Sequence, residues 1–489
     1  MDNLNQLLIK DNPERITRND NDIKSTVIDL IIGKKIEEAI SFFEDNSAEV
    51  IQAYNEYNPL KHSIMKRPDK ARKAKSDYQT NKLPRNWQNY INEVELYFLM
   101  NNGITWELLN DSSEQESLQE VFTKFQDLLT DLHYDTYARE AKRLAGAETE
   151  CAKLYALYKD EGEPKLRIIV LSYSKGYKLR PLFNRYGDLK AFALGFTIRL
   201  ADDNLQDCWD IYTSETIYHC KNLIGVEHSG EWEVAQEINP FGKIPIIYVK
   251  QPKAWDGVQE RIERDEWLDS KNADCNEYFA DPILKISRMV KNGLLDPKST
   301  GKVIQINNKD DVVEYVTPPD ATDLKTTEKS VLKESILMGS LTPDLSNENI
   351  KGLGAISGDA QTENRILGYI KRLSRMEIYD ELFQREASLI KAIMANYLYP
   401  ALRDSINKMK LHHIYQDPTI GVRDNSEEIQ RWAEIGMSDE ALVEANRNIH
   451  NKKLELSRLQ KKREREAAAN ATTTITNTQS QSNNQDEEE

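Results

Sequence analysis

Apolar residues in the N-terminal part of the chain recur at the three- and four-residue spacing of amphipathic helices. One such stripe consists of Trp87, Ile91, Val94 and Phe98. The same spacing predicts helices over residues 23–43 and over residues 116–157. We therefore expect a mainly helical N-terminal part whose apolar stripes pack on a core.

From about residue 165 the apolar positions alternate with polar ones, which is the period of β-strands. Gly, Asn and Asp separate the runs, so the pattern favours an antiparallel sheet over alternating strands and helices. The predicted strand regions are 165–173, 188–200, 207–220 and 243–250.

The helical period returns in the second half of the chain. A long helix is predicted over residues 255–290, with a kink or break at Pro282. Two short strands follow, 301–307 and 311–319, and residues 308–310 would join them as a hairpin. The remaining segments are a helix over 326–340, a turn-rich linker over 341–359, a helix from Ala360 to Tyr399, polar helices and a low-complexity tail.

The composition, 39 % hydrophobic and 30 % charged, fits an elongated subunit or one that shares much of its surface with neighbours. A membrane span and a secretion signal are not expected, and the four separated cysteines predict reduced thiols. The net charge of −16 argues against simple gripping of nucleic acid. An acidic protein can still guide DNA to which it must not bind.

Motifs that would carry catalysis are missing from the sequence, including the phosphate-binding loop, GxSxG and HExxH. The glycines of Gly352–Gly358 lack the preceding strand and the spacing of a dinucleotide site. His412 and His413 are adjacent, and adjacent side chains of a helix point apart, so we expect no shared metal there. We expect no catalytic residues, no metal and no cofactor, and the protein is not expected to be an enzyme.

The order of the elements fits a ring better than a compact enzyme. Two helices of each subunit could line a channel, the small insert between them could protrude at one end, and the glycine-rich loop could face the lumen. The basic stretch Lys66–Lys75 has two readings, a solvated loop or a contact with an anion.

Six blocks of sequence, in order over roughly residues 50–445, resemble the portal proteins of tailed bacteriophages, of the siphophage type with a separate clip. The blocks are 53–106 with its basic Arg-x-Asp-Lys stretch, 151–200, 237–250 with Asn-x-x-Gly-x-Ile-Pro, 256–286 with Ser270, Asn272 and Asp274, 336–364 with Pro-Asp-x-Ser, and 427–446. The Asn-, Ile- and Lys-rich composition suggests an origin in a crAss-like gut phage.

The resemblance implies an α+β, predominantly helical portal fold that assembles as a dodecameric ring at one capsid vertex. The implied parts are a wing (1–254), a stem helix (255–293), a clip (294–325), a second stem helix (326–341), a tunnel loop (342–359), a long wing or crown helix (360–400), a crown with a C-terminal helix (401–466) and a disordered tail (467–489). The subunit would be made in the host cytoplasm and would reside in the virion, away from membranes. The implied partners are the terminase large subunit, head–tail adaptor or ring proteins, the major capsid protein, and double-stranded DNA passing without sequence specificity.

Two groups of residues are the candidate sites. The residues expected to face DNA from the tunnel loop are Thr342, Pro343, Asp344, Asn347, Asn349, Lys351, Gly352, Gly354 and Gly358. The residues expected to dock partners at the clip are Lys302, Lys309, Asp310 and Asp311. Three alternatives stay open: an ordinary helix connector for the loop, a surface hairpin without a partner for the insert, and, for the whole chain, another ring-forming virion or head–tail adaptor protein without a DNA-conducting lumen.

Overall fold

The structure is a computed structural model that describes residues 20–69, 79–110, 112–160, 163–200, 203–223, 231–280, 284–286, 313–315, 322–346, 365–416, 422–446 and 455–463. The described residues up to Gln416 form one unit, and those from Val422 onward form a second unit. Each unit is described by itself.

Helices contain more of the described residues than strands do, which agrees with a predominantly helical α+β fold. The helices of the first unit are α1 (Asp20–Ile32), α2 (Ile36–Ile40), α3 (Ser47–Tyr57), α4 (Trp87–Met100), α5 (Ser112–Asp131), α6 (Tyr134–Glu148), α7 (Gln259–Ala280), α8 (Thr322–Gly339), α9 (Ile366–Ile393) and α10 (Arg403–Lys408). The strands are β1 (Ile104–Leu108), β2 (Glu150–Asp160), β3 (Glu163–Leu171), β4 (Lys178–Phe183), β5 (Leu189–Arg199), β6 (Leu205–Tyr212), β7 (Thr216–Asn222), β8 (Trp232–Ile238), β9 (Ile246–Lys250), β10 (Leu284–Ile286), β11 (Val313–Tyr315) and β12 (Leu411–Tyr415).

Two antiparallel sheets confirm the strand prediction from residue 165 onward. One has five strands in the order β4-β5-β6-β7-β8, and the other has three in the order β3-β2-β9. Successive side chains of a strand point to opposite faces. On β5, Ala191 and Ala193 pack with α1 and α2, while Phe192 and Leu194 pack with the three-stranded sheet.

The three-stranded sheet is buried on both faces. On β2, Ala152 and Leu154 face the five-stranded sheet, whereas Cys151 and Tyr155 face the core formed with α4, α5, α6 and α9. The unit is therefore layered as helix, five-stranded sheet, three-stranded sheet and helical core. The three-stranded sheet therefore forms one boundary of the helical core.

The helix predicted over residues 116–157 is wrong in its last part. His133 has φ of 50° and separates α5 from α6, and Thr149 has φ of 68° and ends α6. A left-handed residue cannot continue a right-handed helix. The segment after Thr149 is β2 because it pairs with β3 on one side and β9 on the other.

The helix predicted over residues 255–290 is shorter than expected, since α7 ends at Ala280 and residues 284–286 form a strand. Val313–Tyr315 is a strand, as predicted, and it pairs with Leu284–Ile286; its predicted hairpin pairing with residues 301–307 stays untested. Pro282 and residues 301–307 lie outside the described residues. The helix expected to end at Tyr399 is α9, which continues through a π-helical turn, Met394–Leu398, to that point.

His412 and His413 lie on a strand rather than on the expected helix, because β12 pairs with β1. The His413 ring is buried against Trp106 and Phe383, and its Nε2 lies 3.0 Å from Asp380 Oδ1. This strand pair closes one side of the helical core.

The second unit is helical, as the polar periodicity after residue 420 predicted. It contains α11 (Val422–Ile435), α12 (Asp439–Ala445) and a helix at residues 455–463. The hydroxyl of Ser438 accepts from the backbone N–H of Ala441 and caps α12, and Arg463 pairs with Asp439 at 2.5 Å.

Gly146 tests the contact between α6 and α4. A Cβ at this position would lie 2.0 Å from Asn92 Oδ1, so Gly146→Ala should destabilise the unit by about 1–3 kcal/mol. Thermal unfolding measures the change. In an Asn92→Ala background the same substitution should cost under about 1 kcal/mol, because the collision is gone and Ala favours helix. Equal costs in both backgrounds would contradict the close packing.

Candidate channel segments and their anchors

Helices α7 and α8 form an antiparallel pair. At one end Val258 and Ile262 pack with Ile336, and Gly339 approaches so closely that a Cβ there would lie 2.7 Å from Val258 Cγ1. Further along, Arg264 donates to Glu328 at 2.6 Å and Lys329 donates to Asp269 at 2.6 Å. Apolar contacts therefore join the two helices near Val258 and Gly339, and ion pairs join them further along.

The segment between α7 and α8 contains two strands that lie side by side. Strands β10 and β11 are antiparallel, with Leu284 opposite Tyr315 and Ile286 opposite Val313. The four candidate docking residues, Lys302, Lys309, Asp310 and Asp311, lie outside the described residues. Their role in docking stays a prediction.

An extended segment, residues 80–86, runs along one face of α7. The backbone N–H groups of Asn81, Leu83 and Arg85 donate to the side chains of Asp274, Ser270 and Glu266 at 2.9, 3.0 and 2.8 Å. Two residues of extended chain advance about 6.6 Å. Four residues of helix advance about 6 Å, so each second residue of the segment meets each fourth residue of the helix.

Two buried ionic contacts strengthen the attachment of α7. Arg67 pairs with Asp274, and His62 Nδ1 lies 2.6 Å from Glu266 Oε1. Burial lowers the pKa of His62, but the hydrogen bond and charge of Glu266 outweigh it and raise the pKa above its usual value. The first residues of the basic stretch thus have a structural role: Arg67 is an ion-pair partner rather than a solvated cation.

The C-terminal end of α8 has an unusual residue. Leu341 has φ of 51°, and the N–H groups of Leu341 and Thr342 donate to the carbonyls of Met338 and Leu337 at 3.2 and 2.8 Å. This is the hydrogen-bond pattern of a helix end that normally uses glycine at the left-handed position. A leucine there costs roughly 1–2 kcal/mol of backbone strain, which the surrounding contacts must offset.

The first residues of the predicted tunnel loop are held against α4. The Tyr90 hydroxyl donates to the Pro343 carbonyl at 3.0 Å and accepts from the Leu345 N–H at 2.9 Å. Asp344 pairs with Lys333 at 2.7 Å. Partial burial opposes ionisation of Asp344, but the hydrogen bonds from Lys333 and Ser346 lower its pKa.

The structure describes the loop only as far as Ser346. Thr342 is 1 % exposed and Pro343 is also buried, so their side chains pack against the core at the start of the loop, and their role in facing DNA stays a prediction. Asp344 is partly exposed. The other candidates, Asn347, Asn349, Lys351, Gly352, Gly354 and Gly358, lie outside the described residues.

A buried charge cluster lies close to the start of the loop. Glu95 on α4 accepts from Lys142 at 2.6 Å and from Arg375 at 3.0 Å, and lies 3.2 Å from Lys371. Lys371 also donates to the carbonyl of Ser340 at 2.9 Å. Ser340 immediately follows α8 and Lys371 lies in the second turn of α9, so one ammonium group links the end of α8 to α9 and to Glu95.

The charges of this cluster do not balance, since three cations surround one carboxylate. Burial raises the pKa of Glu95, but the three cations outweigh it and hold the pKa far below its usual range. Burial is also the main reason that the pKa of Lys371 falls to about 8. The cluster was missed at the level of sequence because its members are separated by up to 280 positions.

The geometry describes a structural subunit with two helices, an insert between them and an anchored loop. A sequence profile of the family described as "Phage portal protein, SPP1 Gp6-like" matches residues 41–469. The chain therefore belongs to the phage portal protein family, and it is a structural virion component rather than an enzyme. The crAss-like origin stays a prediction.

Two solved structures resemble the chain at low identity. The neck of a native gene transfer agent (GTA) particle, computed with C12 symmetry, matches with 12 % identity, a TM-score of 0.38 and coverage of 73 % of this chain and 88 % of that chain. The virion of a native GTA particle matches with 10 % identity, a TM-score of 0.36 and coverage of 81 % and 92 %. No curated protein sequence matches the chain.

Among the described residues, no helix is long and apolar enough to cross a membrane. The same part of the chain has no cluster of three or more His, Cys, Asp or Glu side chains that could hold a metal ion.

Tyr90→Phe tests the attachment of the loop. The substitution removes the acceptor of the Leu345 N–H and the donor to the Pro343 carbonyl, so hydrogen exchange in a peptide covering residues 341–346 should become faster by roughly tenfold. Exchange followed by mass spectrometry measures this rate. Tyr97→Phe on the same helix is the matched control, and unchanged exchange in Tyr90→Phe would contradict the anchor.

Glu95→Gln tests the buried cluster. Removing the carboxylate leaves three cations buried together, so the variant should lose about 3–5 kcal/mol of stability at neutral pH, measured by denaturant unfolding. Because the folded pKa of Glu95 is depressed, its contribution is full above the usual pKa of 4.5 and is lost as the pH falls below that value. The difference between the two proteins should therefore shrink in acid.

Glu93→Gln is the matched control on the same helix. Glu93 makes an exposed pair with Arg143 at 2.5 Å, and exposed pairs contribute about 0–1 kcal/mol. Similar losses of stability in Glu95→Gln and Glu93→Gln would show that the buried cluster contributes no more than an exposed ion pair.

Proposed function

We propose that this protein forms a dodecameric ring at one capsid vertex, through which double-stranded DNA is packaged and later ejected. The family match over residues 41–469 is the observation that carries this proposal. In the ring, residues 1–254 are the wing, 255–293 and 326–341 the stem, 294–325 the clip and 342–359 the tunnel loop, and residues 360–466 contribute the crown. The complete particle is a virion, and the subunit is synthesised in the host cytoplasm.

The antiparallel pair α7–α8 supports the stem assignment. Ionic contacts hold its two long helices side by side in antiparallel directions, and residues 81–85 are attached along α7, as a channel wall requires. The paired strands β10 and β11 support the clip, because they return the chain from the insert to the point where it left. The clip residues Lys302, Lys309, Asp310 and Asp311 would dock the terminase large subunit and then the head–tail adaptors, while the wing would contact the major capsid protein.

The anchored start of the loop supports its assignment as a segment that contacts DNA while the DNA moves. Tyr90 and Lys371 hold the residues at its start, so a load on that part of the loop is passed to the helical core. Affinity for duplex DNA comes mainly from phosphates neutralised by Lys and Arg. A net charge of −16 per chain keeps that grip weak, and Lys351 would be a single phosphate contact in the loop. DNA can then slide without sequence-specific contacts.

A loop deletion in assembled heads tests the function. Heads built with the full-length chain should package and retain a full genome, whereas heads lacking Ile350–Ala355 should package less DNA or lose it. The amount of nuclease-protected DNA per head measures the effect. A deletion of equal length in the polar tail, Thr478–Asn483, is the matched control because it lies beyond the family match.

The outcomes distinguish a wrong assignment of the tunnel loop from a wrong function. Full, retained genomes in heads lacking Ile350–Ala355 would show that this segment is not the tunnel loop. Heads built with the full-length chain that take up no DNA would instead favour a ring-forming adaptor without a conducting lumen.

A further inference from the structure

Helix α8 exposes a straight apolar stripe. Leu324, Val331 and Met338 are seven residues apart and are 77 %, 55 % and 56 % exposed. A seven-residue spacing returns nearly to the same side of a helix, so the three side chains form one line along almost the whole of α8. Large apolar side chains in a line mark a surface that another protein covers.

The charged groups beside this stripe are two exposed carboxylates and one partly exposed cation, Lys325. Lys329 and Lys333 of α8 are engaged within the subunit, with Asp269 and Asp344. Asp323 and Glu334 are exposed. A partner of the stripe should therefore present an apolar group with cations beside it.

Helix α7 carries such a surface. Trp267 is 42 % exposed, and its ring has Arg264 at 4.8 Å and Lys271 at 5.1 Å from the centroid. The ring borders a groove of about 490 Å³ lined by Ser63, Ile64, Lys66, Arg67, Glu263, Arg264 and Trp267. Arg67 and Arg264 are engaged within the subunit, with Asp274 and Glu328, whereas Lys66 is exposed and Lys271 lies over the Trp267 ring.

The two surfaces lie at matching heights on the helix pair. The contacts of Val258 with Gly339 and of Asp269 with Lys329 set the register of the pair, which places Trp267 within about one turn of Val331 and Lys271 within about one turn of Asp323. Rotation about an axis along the helices moves a residue around the ring without changing its height. A head-to-tail contact in a ring needs two different surfaces at the same height.

We propose that the α8 stripe of one subunit packs into the Trp267 groove of the next copy, with Asp323 facing Lys271. The proposal rests on the ring proposed above and names the surfaces that close it. Apolar burial supplies the attraction, and the charge pair sets which faces meet. Because each copy presents both surfaces, the contact repeats around the ring.

A charged residue in the stripe tests the contact. Val331→Asp should lower the fraction of protein in rings at least about tenfold at fixed concentration, measured by mass photometry, with the circular dichroism spectrum of the subunit unchanged. Ile238→Asp, at an 82 % exposed position on β8, is the matched control and should assemble like the original chain.

A charge exchange gives a second, independent readout. Asp323→Lys and Lys271→Glu should each reduce ring formation, and the double variant should restore it, because the attraction is reversed rather than removed. Undiminished rings in Val331→Asp, or no restoration in the double variant, would overturn this contact. A full-length chain that forms no rings at all would overturn the proposed function instead.

Discussion

The buried carboxylate of Glu95 is the interaction on which the rest of the first unit depends. It is surrounded by Lys142, Lys371 and Arg375, which come from two different helices packed on α4. A buried cation without a carboxylate is strongly unfavourable, so these helices are stable together and not separately. Burial lowers the pKa of Lys371 to about 8, so it is the cation of the cluster that loses its proton first as the pH rises.

The same cluster connects the core to the working segments. Lys371 reaches the carbonyl of Ser340 at the end of α8, while Tyr90, one turn before Glu95 on α4, holds Pro343 and Leu345. The start of the predicted tunnel loop is therefore fixed from two directions. Backbone strain at Leu341 persists because both contacts determine its conformation.

Much of the fold follows from local sequence patterns. The stripe from Trp87 to Phe98 predicted α4, and the alternation after residue 165 predicted the antiparallel sheets. The boundary at Thr149 was missed because the left-handed conformation of a threonine has no sequence signature, and the β1–β12 pair was missed because its strands are about 300 residues apart. Patterns within one segment do not report such distant partners.

The order of the segments in the candidate site could be predicted from the sequence, but the contacts between them were less predictable. The family blocks included Arg67, Ser270 and Asp274, and the structure shows why these residues belong together: the Asp274 side chain pairs with Arg67 and accepts from Asn81, and the Ser270 hydroxyl accepts from Leu83. The burial of Thr342 was not predictable, since a polar residue beside a proline reads as a surface turn. The Glu95 cluster depends on helix packing, which the sequence specifies only through the fold as a whole.

The most direct measurement of the central claim is an averaged electron-microscopy view of the purified full-length chain. The account predicts rings of about twelve subunits with a central hole wide enough for duplex DNA. Compact monomers, or closed particles without a hole, would contradict it.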